Sequence, residues 1–80
     1  MNNQQVAAIV RDALRQAARE CDVKPSEAHQ PPWNNKAATM ARNIALRIAH
    51  DQGIPRHVLA EAFARSRESI GKALAMTKPD

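Results

Sequence analysis

The chain has 80 residues, 44% of them hydrophobic, with one Cys, one Trp, one Phe, no Tyr and a formal net charge of +4. That length bounds it to one domain, and with 16 Ala and only 18 large apolar residues its core is too thin for a deep enclosed active-site pocket and leaves part of its stability to self-association or a partner. The single Cys excludes an internal disulfide framework and a cysteine-rich zinc site, the scarcity of aromatics excludes a base-stacking platform, and no apolar run reaches membrane-spanning length.

The polar start Met1-Asn2-Asn3-Gln4-Gln5 carries no export segment, which predicts a cytoplasmic, reduced protein. Ala is the best helix former, and no segment alternates in the manner of a strand, so the expected class is all-α. The first helix is predicted from about Gln4 to Cys21, capped by Asn2 or Asn3. Val6, Ile9, Val10, Ala13, Leu14, Ala17 and Cys21 make its apolar stripe. That stripe either covers the rest of its own chain or forms a subunit interface. Arg11, Arg15 and Arg19 recur on another face, interleaved with Asp12 and Glu20, and read as a solvated surface.

Residues 22–35 lose the periodicity. Lys24-Pro25 and Gln30-Pro31-Pro32 disfavour helix, which predicts a connector with Trp33 as its only large apolar group. Trp33 is either a staple over the core or an anchor for a partner. The second helix is predicted from Lys36 to Gln52, with Asn34 or Asn35 as cap and Ala37, Met40, Ala41, Ile44, Ala45, Ile48 and Ala49 inward. Gly53 suits the left-handed position after a helix, and Pro55 the first turn of the next one. The third helix, about Arg56 to Phe63, turns Leu59, Ala60 and Phe63 inward. After a tight turn, Ser66 caps a fourth helix from about Arg67 to Met76, with Ile70, Ala73 and Leu74 inward. Lys78-Pro79-Asp80 is a frayed end. The organisation is thus a four-helix single domain. Residues 1–35 form an amphipathic helix and connector, and residues 36–80 form the unit that bears on function.

The charge is divided along the same boundary. Residues 1–35 hold four basic and four acidic side chains, whereas 36–80 hold eight basic and four acidic ones, so the whole excess lies in the second half. An acidic partner is the first candidate. Two short helices joined by a tight turn, the second opening on basic residues, are the helix-turn-helix geometry that places its second helix in the DNA major groove.

The stretch from Leu59 to Leu74 resembles the helix-turn-helix signature of bacterial regulators. Ala60, Ala64 and Ile70 keep its Ala, Gly and Val/Ile spacing, and Ser66-Arg67 matches the frequent opening of the recognition helix. The turn Gly is replaced by Ala64, and Arg65 stands where an apolar residue is usual. With the preceding run from Ala41 to His50, residues 36–76 are similar to the C-terminal DNA-binding domain of the bacterial chromosomal replication initiator. Arg42 matches that family's arginine. The resemblance implies that the loop at Asn34-Asn35-Lys36 approaches the DNA backbone or minor groove. The initiator's Asp-His-Thr-Thr-Val is replaced by Ser66-Arg67-Glu68-Ser69-Ile70, so its target sequence is not implied.

Position assigns the expected contacts. Arg67 suits guanine O6 and N7, Glu68 suits cytosine N4 or the positive helix end, Ser66 and Ser69 suit phosphate or base edges, and Lys72 suits a base or phosphate. Arg56, Arg65, Lys36 and Arg42 are candidate phosphate clamps, which set register without reading sequence. Gly71 costs helix stability, which a close approach of DNA would explain. The expectation is a small sequence-specific double-stranded DNA-binding regulator of transcription or replication, phage- or mobile-element-encoded by its size, acting as a homodimer without cofactor, metal or enzymatic activity. The alternative is a protein-binding adaptor or inhibitor docking on a larger bacterial machine through the first helix and the basic face. His29, His50 and His57 show no metal-ligand spacing and read as surface or partly packed groups. Cys21 reads as an apolar filler.

Overall fold

A computed structural model describes residues 2–29 and 35–76, with five helices in chain order: α1 (Asn3–Cys21), α2 (Pro25–His29), α3 (Lys36–Asp51), α4 (Arg56–Ala62) and α5 (Arg67–Met76). No strand occurs among the described residues, in line with the all-α class. Trp33, Asn34 and the expected frayed end at Lys78-Pro79-Asp80 lie outside the described residues.

Local chemistry sets the helix starts. Asn2 Oδ1 accepts from the Gln5 amide at 2.8 Å while Gln5 Oε1 accepts from the Asn2 amide at 3.0 Å, a reciprocal capping box. Asn35 Oδ1 accepts from the Ala38 amide at 2.7 Å, and Ser66 Oγ accepts from the Ser69 amide at 3.1 Å. Pro55 stands at the N-cap of α4 with φ −65°, one position earlier than expected.

The expected helix count of four is corrected to five, because part of the connector is helical. Pro25 opens α2 instead of breaking it. A proline at the first helical position gives up an amide that has no partner there and already has the helical φ. Lys24 O then accepts from the amides of Glu27 at 3.0 Å and Ala28 at 3.3 Å. α2 buries Ala28 completely. His29 Nε2–H donates to Ala62 O at 2.9 Å, and its ring meets Phe63 edge-on at 5.4 Å. The short helix thereby ties α1 to the end of α4.

The α1 stripe covers its own chain. Val10, Ala13, Leu14 and Ala17 join Ala41, Ala45, Leu46 and Ala49 of α3 in one core, with Ile54, Leu59, Phe63, Ile70 and Leu74 completing it. Among the described residues ten of the buried hydrophobic ones are Ala, and such small side chains let helices approach closely where their ridges and grooves meet. On α3 the inward face is wider than one stripe and turned from the expected one. Ala38, Leu46 and Asn43 are buried, whereas Met40 is 55% exposed and Ile44 and Ile48 are half-buried. α3 is the central helix, packed by α1 and α2 as well as by α4 and α5, so a single amphipathic stripe understates what it buries.

α4 and α5 pack on each other across residues 63–66, and Ile70, Ala73 and Leu74 anchor α5 to the core. Inside that turn Ala64 has φ 52°, a left-handed conformation that costs a residue with a Cβ about 1–2 kcal/mol. Arg65 N reaches back to Ala60 O at 2.9 Å to close the turn. Ala64→Gly is therefore expected to stabilise the fold by about 1 kcal/mol after the extra entropy of Gly in the unfolded chain is deducted. The gain reads as an unfolding midpoint about 4–8 °C higher, and a lower midpoint would overturn the conformational assignment.

Candidate nucleic-acid interface

Because Ile70, Ala73 and Leu74 point inward, the 3.6-residue period turns Glu68 and Lys72, one turn apart, outward together; Arg67, the first residue of α5, is exposed at the helix start. Glu68 in the first turn complements the positive end of α5. Ser66 Oγ, engaged with the Ser69 amide, also donates to Ser69 Oγ at 3.0 Å. The Ser66 hydroxyl is thus held at the helix start, and Ser69 is half-buried beside it.

The expected phosphate clamps separate into three environments. Lys36 and Arg56 are exposed at the first positions of α3 and α4, and Arg65 is half-buried in the turn. Arg42 departs from its expected surface role: it is only 8% exposed. Its Nε and Nη2 donate to Asn43 Oδ1 at 3.2 and 2.9 Å. Burial lowers the pKa of its guanidinium, and the charge of Arg65 adds to that effect. An arginine pKa starts so high that Arg42 stays cationic at neutral pH. Arg42 acts from below the surface as a fixed charge beside Arg65, and its burial follows from the wide inner face of α3.

Sequence spacing does not single out Arg47 and His50. They lie one turn apart on α3 and line a cleft of about 310 Å³ together with Arg56 of α4 and Gly71, Leu74 and Ala75 of α5. Arg47 Nη2 donates to Leu74 O, satisfying a carbonyl in the last turn of α5. Arg47 Nη1 lies 3.4 Å from Asp51 Oδ1, and its Nε is a buried donor without a hydrogen-bond partner among the described residues. His50 Nδ1–H donates to Ile54 O at 3.0 Å, which leaves Nε2 as its remaining ring nitrogen. Arg56 Nη1 stands 3.8 Å from the place a Cβ on Gly71 would occupy. The i,i+3 spacing of Arg47 and His50 is visible in the sequence, but their convergence with Arg56 is set by tertiary packing.

A larger, mostly apolar groove of about 650 Å³ runs between α1, α2 and the end of α4, lined among others by Val6, Val10, Leu14, Pro25, His29 and Ala62. Cys21 is half-buried against the core. Burial raises its thiol pKa, with a further contribution from Glu20, so little thiolate forms at neutral pH. Among the described residues no cluster of three or more His, Cys, Asp or Glu could hold a metal ion, and no helix is long and apolar enough to cross a membrane. Comparison of the chain with known protein families, with curated proteins and with solved structures finds no match.

Proposed function

We propose that the chain is a small sequence-specific double-stranded DNA-binding protein of helix-turn-helix build, a regulator of transcription or replication. α4 is its supporting helix and α5 its recognition helix. The observation that carries this reading is the exposure of Arg67 at the start of α5 and of Glu68 and Lys72 on its outer face, on the half of the chain that holds the whole charge excess. The left-handed Ala64 at the turn position of the signature supports it, because that position needs the conformation Gly adopts readily. The packing of α5 through Ile70, Ala73 and Leu74 supports it further. Arg67 and Glu68 read base edges, and Arg56, Arg65 and Lys36 contact phosphates.

Selection of binding sites from random duplexes, combined with affinity measurements across salt concentrations, tests the reading. The expected result is a defined site whose log affinity falls linearly with log salt. Absence of duplex binding at about 50 mM salt, where counterion release favours even non-specific contacts, would overturn it. Sedimentation of the protein with a selected duplex gives the number of copies bound.

A further inference from the structure

We propose that the cleft between α3, α4 and α5 is a phosphate site, formed by Arg47, His50 and Arg56, that seats one backbone phosphate of the bound duplex. The assignment to a duplex rests on the DNA-binding reading above. The phosphate chemistry itself comes from the cleft.

Three cationic or protonatable side chains from two helices converge on one cleft of about 310 Å³. Two of them are held in place by bonds to backbone carbonyls: Arg47 to Leu74 O and His50 to Ile54 O. Their positions are therefore fixed before any ligand arrives, which lowers the ordering cost of binding. Both line the cleft, where Arg47 contributes its charge and the imidazolium form of His50 would offer its second N–H. Asp51 is the carboxylate beside Arg47, at 3.4 Å and exposed on its far side, so it tempers the local charge without filling the cleft. Arg56 is exposed and adds a guanidinium, whose planar fork matches two phosphate oxygens.

Gly71 gains a reason from the same geometry. A Cβ there would be in ordinary contact with Arg56 Nη1 at 3.8 Å, so the fold itself accepts Ala and the helix would prefer it. The missing side chain leaves room for a phosphate between Arg56 and the backbone of α5. The cleft is also continuous with the proposed recognition helix, since Gly71 and Ala75 lie on α5 next to Lys72. A phosphate seated there would fix the depth and register of α5 in the groove.

Three proteins decide the matter: the native chain, Arg56→Gln and Gly71→Ala. Arg56 is exposed and Gly71 has space, so both variants should fold, which a thermal melt of each confirms independently. With a mixed-sequence duplex, Arg56→Gln is expected to lower affinity about tenfold near 0.1 M salt and to flatten the log–log salt slope by about one. Gly71→Ala is expected to melt at a higher temperature yet bind the duplex several-fold more weakly. In NMR spectra the Gly71 amide and the His50 ring signals should move as duplex is added. If the duplex binds and both variants keep the native affinity and slope, the cleft seats no phosphate and the proposal fails, while DNA binding stands. If no duplex binds, titration with inorganic phosphate decides. Movement of the Gly71 and His50 signals that is lost in Arg56→Gln supports a phosphate site with a different source of phosphate. No movement at millimolar phosphate overturns the site.

Discussion

Phe63→Ala is expected to remove about 3–5 kcal/mol of stability, against a total of about 4–12 kcal/mol for a domain of this length. Phe63 is 1% exposed and heads the fully buried side chains by volume. It stands at the end of α4, beside the last residue of α2. Its ring meets the His29 imidazole edge-on at 5.4 Å, while His29 holds Ala62 O at 2.9 Å. Truncation therefore opens a cavity and loosens the contact of His29 with the end of α4. The core offers little side-chain volume to fill the space, because most of its buried residues among those described are Ala, and collapse would require helix movement. The loss appears in urea unfolding monitored by circular dichroism, or as a fall in midpoint of about 4–8 °C per kcal/mol. Phe63→Leu, which keeps most of the apolar volume, is expected to lose markedly less. A loss below about 1 kcal/mol for Phe63→Ala would mean that the core is loosely packed at this joint and can close over the gap.

The residues legible in the sequence are those governed by local chemistry. Asn2, Asn35 and Ser66 cap helices as their side chains allow, and the bounds of α5 reflect Ser66 and the inward triplet Ile70, Ala73 and Leu74. Pro25 misleads because proline has two opposite meanings: a breaker inside a helix and a starter at its first position. Which meaning applies at Pro25 depends on the next few residues, and Ala28 and His29 find partners only in the folded core. Met40 and Leu46 exchange places for a similar reason, since α3 is packed on several sides and no single helical period describes it. The candidate site divides the same way. Glu68 and Lys72 share a face by period alone, and Arg67 opens the helix, whereas the burial of Arg42 and the meeting of Arg47, His50 and Arg56 depend on how three helices cross.

With α5 as the recognition helix, Arg67→Ala is expected to relax preference at one base pair by about 1–3 kcal/mol, a factor of roughly 5 to 150. Arg67 is the first residue of α5 and exposed, the position from which helix-turn-helix proteins reach base edges. Its guanidinium presents two parallel N–H donors that match O6 and N7 of guanine, and no other base offers that pair of acceptors in the major groove. Arg67→Lys separates shape from charge. It keeps the cation and hence the salt slope, but loses the fork, so discrimination should fall while non-specific affinity holds. Lys72→Ala provides the contrast as a phosphate contact: a uniform weakening across sequences with the slope reduced by about one. The measurement is affinity for the selected duplex and for single-base variants of it, at two salt concentrations. If Arg67→Ala binds every variant with the native ranking, Arg67 reads no base, and sequence preference must arise from Glu68, Ser69 or the deformability of the duplex. A changed ranking at one position alone, shared by Arg67→Lys and Arg67→Ala, would fix the orientation of α5 on the DNA.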